Sequence, residues 1–284
     1  MLWDTHMHTH FSGDSEAAPK DMIRAAKALG LSGICFTDHL DLDFPDEPEL
    51  FLMDVDQYIE EMNTLASHAQ GSQRNVGVSG SAQGDTTKPL EMRIGIELGL
   101  QPHLAEKHRE LTASHPFDFV IGSSHVVHGK DPYYPAFYQN KAEYEAYEEY
   151  FSSILENIAV FDDFDVYGHL DYVVRYGPNK NKFYSYEKFA DIIDEILRAL
   201  IAKGKGIELN TAGFKYGLGH PNPTEAVIKR YRELGGEIIT IGSDAHAPEH
   251  VGYDFAKVAG ILTDAGFRYF TVYKNRKPQF LRLP

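Results

Sequence analysis

The sequence has almost no cysteine: Cys35 is the single one among 284 residues. A disulfide within the chain is therefore impossible, which excludes a disulfide-stapled secreted domain and favours a reducing compartment. Cys35 itself lies in the apolar segment 33–36, which predicts a buried strand residue.

Long apolar runs and basic residues are also scarce. No run approaches the roughly 18 residues that a membrane-spanning helix needs, and charged Asp4 precedes any apolar segment, unlike a signal peptide. The 27 Lys and Arg stand against 42 Asp and Glu, a formal net charge of −15. Such a surface repels nucleic acid and anionic membranes. We expect a soluble cytoplasmic protein whose partner is a small molecule, and nothing here predicts the oligomeric state.

Nucleotide-binding glycine motifs and internal repeats are absent as well, and strand and helix patterns alternate instead. After a first strand that ends near His6, strand-like runs occupy 33–37, 92–97, 118–122, 164–168, 206–210 and 238–242. Helical patterns occupy 19–29, 54–69, 103–114, 141–160, 186–203, 223–235 and 249–265. Seven βα units favour a parallel sheet with outer helices, either closed as a barrel or wound on both faces. We predict one barrel domain over residues 1–284, with an exposed loop excursion at 71–90.

Histidine and carboxylate residues recur where these strands end. His6 and His8 point to the same side of the first strand and can close on one metal ion. Five further strand ends carry Thr37-Asp38-His39, Glu97, Ser124-His125, Gly168-His169 and Ser243-Asp244-Ala245-His246. A lone buried histidine is more often a hydrogen-bonded core residue, but this recurrence favours a metal site. Barrel closure is preferred because the carboxyl ends of barrel strands converge on one mouth.

Together with Asp14, six residues after His8, these motifs resemble the PHP family (polymerase and histidinol phosphatase) in family order over residues 4–254. The resemblance implies an α/β fold, a distorted (β/α)7 barrel with two or three divalent ions (Zn, Mn or Fe) at the carboxyl ends of the strands. By position, one ion would be held by His6, His8, Glu97 and Asp244, a second by Glu97, His125 and His169, and a third by Asp14, His39 and His246. A loop aspartate such as Asp14 also commonly caps a turn.

The chemistry of these residue types agrees with the resemblance. Mixed imidazole and carboxylate ligands suit zinc, manganese or ferrous iron. A glutamate such as Glu97 can bridge two ions ~3.5–4 Å apart, and water held between them becomes a nucleophile near neutral pH. We therefore expect Glu97 and Asp244 to serve catalysis. Asp244 or a nearby histidine could protonate the leaving group, and the sequence does not choose between them.

Residues 168–177 resemble the part of histidinol phosphatases that carries a phosphate-binding arginine, here Arg175. A guanidinium forks onto phosphate oxygens through two parallel hydrogen bonds; the alternative for Arg175 is a surface salt bridge. Residues 208–213 and 235–244 resemble the same subfamily and imply that Asn210 binds the substrate.

The chain departs from that subfamily just afterwards. Lys215-Tyr216 replaces an expected Arg-Lys pair, and His220-Pro221-Asn222 replaces Tyr-Pro-Ser. We predict that Lys215 and His220 lie beside the leaving group and contact the substrate. These departures bear on the identity of the substrate, whereas phosphatase chemistry itself is unaffected.

The resemblance implies a metal-dependent phosphomonoesterase. Its leading substrate is L-histidinol phosphate, hydrolysed to L-histidinol and phosphate in histidine biosynthesis. The alternatives are a PHP phosphoesterase for another small phosphate ester, a nuclease, which the acidic charge disfavours, and a non-catalytic metal-binding scaffold.

Other aromatic and histidine residues are interpreted more simply. The aromatics that follow His125 either shelter a ring-bearing substrate or pack inertly, and they are Tyr133, Tyr134, Phe137 and Tyr138. Four histidines fall on helical segments and are expected to be solvated: His68, His103, His108 and His115.

Overall fold

The computed structural model of the protein describes residues 2–71 and 89–284. The loop excursion expected at 71–90 lies almost wholly outside the described residues, and so does the side chain of His68. The strands are β1 (Trp3–Asp4), β2 (Gly33–Phe36), β3 (His39–Leu40), β4 (Glu91–Gly99), β5 (Phe119–Ser123), β6 (Val166–Tyr167), β7 (Gly206–Asn210), β8 (Ile239–Gly242), β9 (Tyr269–Lys274) and β10 (Lys277–Arg282). The α-helices are α1 (Pro19–Ala28), α2 (Val55–Gly71), α3 (Ala105–Ser114), α4 (Glu143–Val160), α5 (Ala190–Ala202), α6 (Ala212–Lys215), α7 (Glu225–Glu233) and α8 (Val258–Asp264).

Across the described residues, the main sheet is a parallel barrel in the order β1-β2-β4-β5-β6-β7-β8. β3 continues the path of β2 along β4, with His39 opposite Glu97. The last strand returns to the first, because the Thr5 N–H donates to the Ile241 carbonyl at 2.9 Å and the Asp244 N–H donates to the His6 carbonyl at 2.9 Å. The predicted distorted (β/α)7 barrel is therefore confirmed.

The helices cover the barrel with one apolar face each. In α5 the buried positions Ile193, Ile196, Leu197 and Leu200 recur at the spacing of an amphipathic helix. The buried residues of α4 include Tyr147, Phe151 and Ile154, which lie on one face of the helix at helical spacing. Within the described residues, no helix is both long enough and apolar enough to cross a membrane.

The amino ends of the strands are covered by a hairpin that the sequence patterns do not predict. β9 and β10 pair antiparallel around Asn275-Arg276, whose φ angles of 48° and 60° suit a two-residue hairpin turn. The Tyr273 ring stacks on Phe119 at 5.1 Å, and Arg276 Nε donates to Asp165 Oδ2 at 2.7 Å. One end of the barrel is thereby closed, and the carboxyl ends of the strands stay open.

The helix predicted over 249–265 is shorter than expected. The α-helical part is α8, and the residues before it form short 3₁₀ turns. Gly252 and Asp254 adopt φ angles of 61° and 55°, in the left-handed region. An α-helix cannot pass through such residues.

Candidate metal centre

Glu97, on β4, lies fully buried at the centre of the open mouth. Ring nitrogens face its Oε2 at 3.0, 3.5 and 3.2 Å, from His6, His8 and His39. Ring nitrogens face its Oε1 at 2.9 and 3.4 Å, from His169 and His125. Burial opposes ionisation of Glu97, but the neighbouring histidines outweigh it and hold the pKa of this carboxyl well below its usual range. An ionised carboxylate whose two oxygens face different imidazoles has the form of a bridging metal ligand.

Two glycines allow the carboxylates to approach so closely. A Cβ at Gly168 would lie 2.5 Å from Ser123 Oγ, the hydroxyl that donates to Glu97 Oε1 at 2.6 Å. A Cβ at Gly242 would lie 2.2 Å from Glu208 Oε1. A side chain at Gly242 would therefore displace the Glu208 carboxylate, and one at Gly168 would displace the hydroxyl that donates to Glu97.

The far ring nitrogens of three histidines are held by other side chains. His6 Nδ1 lies 2.7 Å from Glu208 Oε1, and His125 Nδ1 lies 2.7 Å from Asp41 Oδ2. His8 Nδ1 lies 3.1 Å from the Ser12 hydroxyl. Such partners fix the ring orientation and the tautomer, so that each Nε2 carries the free lone pair that a metal needs.

Asp244 follows β8 in the left-handed conformation, with φ at 53°, which aspartate tolerates better than most residues. Its Oδ1 lies 3.4 Å from His8 Nε2 and 3.6 Å from His246 Nδ1. Burial alone would raise the pKa of Asp244, but Arg175 and the adjacent histidines hold it well below its usual range. Asp244 is therefore an ionised ligand candidate.

Asp14 and His246 form a third, more open part of the cluster. His246 Nε2 lies 3.1 Å from Asp14 Oδ2, and His39 Nε2 lies 4.0 Å from the same oxygen. His39 Nδ1 faces Glu97, as described above. His39 thus lies between Glu97 and Asp14, and its ring can ligate a metal ion beside either carboxylate.

The donors fit a divalent metal. Among the described residues, ligand atoms within 4.8 Å of one another form three groups: His6, His8 and Glu97; His39, Glu97 and His125; and His8, His39 and His246. Three buried ring nitrogens make no hydrogen bond to the described residues, although each lies within 3.5 Å of a carboxylate oxygen. They are His8 Nε2, His39 Nδ1 and His246 Nε2. Buried polar atoms are rarely left unpaired, and a coordinated ion would satisfy them.

Arg175 is only 3% exposed, so it is not part of a surface salt bridge. It follows β6 in a 3₁₀ turn over Tyr172–Arg175. Its guanidinium donates to Asn222 Oδ1 at 2.9 Å, Asp244 Oδ2 at 2.8 Å and Asn210 Oδ1 at 3.0 Å. Its carbon centre also lies 5.1 Å from the centroid of the Tyr216 ring, a cation–π contact. The centroid of the Tyr172 ring lies 5.5 Å from the same carbon. Three hydrogen-bond acceptors and two aromatic rings thus hold the guanidinium beside the metal cluster.

A cavity of about 400 Å³ opens above the cluster. Candidate metal ligands line one side, and Arg175 and Lys215 line the wall beside Asp244. Much of the remaining wall is aromatic: Phe44, Phe51, Tyr172, Tyr176 and Tyr216. The dimensions and lining suit a small phosphate ester.

Six of the nine predicted metal ligands line this cavity, whereas His6, His8 and Glu97 are fully buried beside them. The four predicted substrate contacts are separated by the structure. Arg175 and Lys215 line the cavity. Asn210 is fully buried and holds Arg175 and Glu208 instead of reaching the cavity. His220 is not among the cavity-lining residues, and its Nδ1 lies 2.6 Å from the Pro221 carbonyl.

The aromatic residues of the loop after His125 differ in their exposure. Phe137 is fully buried, whereas Tyr133 and Tyr134 are exposed. Tyr133 contacts the ring of Tyr176, a cavity-lining residue, at 5.1 Å.

Sequence reasoning missed the residues that support the ligands. Glu208, Asp41 and Asn222 contact candidate ligands or Arg175, yet no spacing in the sequence marks them. One positional signal was available for Asp41, which directly follows β3. Glu208 is the middle residue of β7, and its signal was its place in the segment 208–213 that resembles histidinol phosphatases.

The sequence is similar to proteins of one known family. The family model described as the PHP domain matches residues 4–212. The histidinol-phosphatase of Lactococcus lactis subsp. lactis is 32% identical over 275 residues, covering 96% of this chain and 95% of that protein. A probable histidinol-phosphatase of Clostridium acetobutylicum is 31% identical and covers 90% of both.

A solved structure is also similar over almost the whole chain. It is the crystal structure of the Lactococcus lactis histidinol phosphate phosphatase complexed with zinc, L-histidinol and phosphate. It has a TM-score of 0.86 at 31% identity and covers 98% of each chain. Because the family model spans most of the sequence and relatives match it end to end, this chain belongs to the PHP domain family.

Proposed function

We propose that this protein is a metal-dependent phosphomonoesterase that hydrolyses L-histidinol phosphate to L-histidinol and phosphate, a step of histidine biosynthesis. The observation that carries the chemistry is the convergence of a histidine and carboxylate cluster with a buried arginine in one small cavity. The substrate is supported by the full-length similarity to histidinol-phosphatases and by the zinc, L-histidinol and phosphate in the related structure.

Two or three divalent ions would be held at the mouth, and zinc is the first candidate. His6, His8, Glu97 and Asp244 would hold the first ion. Glu97 would be shared with a second, held also by His125 and His169, and Asp14, His39 and His246 would hold a third. When bound, such ions supply an activated water and neutralise charge on the phosphoryl group.

Arg175 would bind the phosphate. Asp244, Asn210 and Asn222 occupy one N–H of each guanidinium nitrogen, and the remaining N–H groups donate to none of the described residues. Because the arginine is already fixed before substrate arrives, little side-chain entropy is lost on binding. Its fork would hold two nonbridging oxygens and stabilise charge as it develops on them.

Lys215 would add positive charge on the same side of the cavity. Its Nζ lies 3.4 Å from the Asp244 carbonyl and its side chain lines the cavity. An ammonium there attracts an anionic ester and can contact the ester oxygen. Lys215 is therefore proposed as a substrate contact, whereas Asn210 is proposed to position Arg175.

The decisive experiment is a comparison of kcat/KM for L-histidinol phosphate and p-nitrophenyl phosphate on zinc-loaded protein. We expect a preference of at least a hundredfold for histidinol phosphate, because a site built for polar groups leaves them unpaired with an apolar ester. Comparable values would favour a phosphoesterase for another small ester. Metal-loaded protein that hydrolyses no monoester would instead be a non-catalytic scaffold.

A further inference from the structure

One carboxylate in the cavity wall has no role in the site described so far. Asp14 and Asp244 are candidate metal ligands, and Asp41 accepts the His125 ring N–H. Asp131 also lines the cavity but belongs to none of the candidate ligand groups. Its carboxylate forms no ion pair within 4.0 Å among the residues of 2–71 and 89–284. It is nonetheless only 7% exposed.

The loop that follows β5 holds Asp131 in a fixed position. The backbone of Val127 pairs with that of Lys130, and the Tyr133 N–H donates to Asp131 Oδ1 at 2.7 Å. Asp131 Oδ2 accepts no hydrogen bond from the described residues. Burial raises the pKa of Asp131 to about 6, since the one backbone donor and His125 offset desolvation only in part. The ionised carboxylate therefore lacks a counter-charge that a bound cation would supply.

The cavity lining consequently carries charges of both signs, on different segments of the chain. Arg175 and Lys215 lie beside Asp244 and suit the phosphate. Asp131 lies on the loop that follows His125, and Tyr176 contacts this loop through Tyr133. A ligand that is anionic at one end and cationic at the other can pair with Arg175 and Lys215 through its anion and with Asp131 through its cation.

We infer that Asp131 is a specificity-determining residue that pairs with a positively charged nitrogen of the phosphate ester. The inference rests on the proposed function and deepens it, because it assigns the recognition of the part of the substrate that does not react. The chemistry required is an N–H cation, which an ammonium or an imidazolium group provides.

Asp131→Asn is a sharp test because asparagine keeps the side-chain oxygen that accepts the Tyr133 N–H and removes only the charge. We expect kcat/KM for L-histidinol phosphate to fall at least tenfold, mainly through KM. For p-nitrophenyl phosphate, which carries no cation, kcat/KM should stay within twofold of wild type. Glu47→Gln is the matched control, since Glu47 is an exposed carboxylate outside the cavity lining, and it should change neither value.

A binding measurement separates recognition from chemistry. By calorimetry, L-histidinol should bind Asp131→Asn at least tenfold more weakly than wild type, whereas inorganic phosphate should bind both equally. Repeating the kinetics on wild type at pH 6.5 and 8.5 with the analogue of histidinol phosphate that lacks the amine distinguishes the two cations, because an imidazole ring is partly protonated at the first pH and neutral at the second. Loss of the preference over p-nitrophenyl phosphate at both pH values would show that Asp131 pairs with the ammonium, and loss at pH 8.5 alone would show that it pairs with the imidazolium. A preference kept at pH 8.5 would need no cation and would overturn the inference.

The outcomes distinguish this inference from the proposed function. If wild type prefers histidinol phosphate and Asp131→Asn retains that preference and the affinity for L-histidinol, Asp131 is not the specificity residue while the proposed function stands. If wild type neither prefers histidinol phosphate nor binds L-histidinol, both are overturned.

Discussion

Glu97 divides its two oxygens between two sets of imidazoles, so its removal should affect more than one ion. Glu97→Gln keeps the shape of the side chain but replaces one oxygen by an amide nitrogen, which cannot bind a metal. We expect the variant to lose at least one equivalent of metal more than a single-site ligand variant such as Asp14→Asn. Elemental analysis of protein purified without chelator measures this.

Glu106→Gln serves as the control for that measurement, because Glu106 is exposed on α3. It should bind metal like wild type. Unchanged metal content in Glu97→Gln would show that this carboxylate does not bridge.

Arg175 is held by hydrogen bonds that depend on the flat guanidinium fork. Arg175→Lys keeps the charge, but one ammonium cannot reach Asn210, Asn222, Asp244 and phosphate together. We expect kcat/KM for phosphate esters to fall at least tenfold, which corresponds to about 1.4 kcal/mol of transition-state stabilisation. Arg24→Lys, at an exposed arginine, should leave the kinetics unchanged. Wild-type kinetics in Arg175→Lys would remove Arg175 from the phosphate site.

Most candidate ligands were predictable from the sequence because they lie at or shortly after strand ends, and strand ends of a parallel barrel meet. Asp14 lies in a loop, and its prediction depended on the family resemblance. Their supporting residues were not. Asn222 lies 47 positions from Arg175 and Asp41 lies 84 positions from His125, and only the folded chain brings each pair together. His108 was predicted to be solvated because it lies on a helical segment, and this is wrong: it occupies the inward face of α3.

At the scale of elements, the hairpin β9–β10 should stabilise the barrel without taking part in its chemistry. Tyr273 is 5% exposed and stacks on Phe119 at the closed end of the barrel. Tyr273→Ala should lower the free energy of unfolding by about 3 kcal/mol, as for other buried aromatic truncations. Denaturant unfolding measures this effect, and metal content should stay unchanged.

Tyr269→Ala on the same strand is the matched control, since Tyr269 is 48% exposed. It should cost well under 1 kcal/mol. Equal losses in the two variants, or loss of metal in Tyr273→Ala, would contradict a purely structural role for the hairpin.

The sequence predicted most buried strands closely, but it did not predict the hairpin or the start of the last helix. Strands β2, β4, β5, β7 and β8 are close to the runs expected, because buried parallel strands are continuous apolar segments. The hairpin β9–β10 was not predicted because β10 is mostly exposed and has no apolar pattern. The helix predicted over 249–265 begins late, at Val258, because two residues before it have positive φ angles. One of them, Asp254, is not a glycine, so the sequence does not signal it.

At the scale of the whole molecule, acid should weaken the fold partly through His108. This residue is fully buried, and burial lowers the pKa of His108 to about 4. The unfolded chain binds a proton at this position below about pH 6.5, whereas the folded chain does not until about pH 4. The stability due to neutral His108 is therefore complete above pH 6.5 and is lost as the pH falls towards 4.

His108→Phe removes that titration and retains an aromatic ring. Between pH 7.5 and 4.5, wild type should lose about 2 to 3 kcal/mol more free energy of unfolding than the variant. Denaturant titrations at fixed metal concentration measure the difference, and loss of metal at low pH affects both proteins alike. Parallel pH profiles would mean that folding does not change the pKa of His108.

The closure of β8 on β1 constrains when the protein can fold during its synthesis. Thr5 bonds to Ile241, 236 residues later in the chain, and Asp4 bonds to Ser243 across 239 residues. At roughly 5–20 residues per second, a ribosome needs on the order of 10–50 s to make the intervening segment. Throughout that interval His6 and His8 are without the carboxylate of Asp244. The complete set of nine candidate ligands exists only once translation has passed His246, so we expect metal to complete the site only after that point.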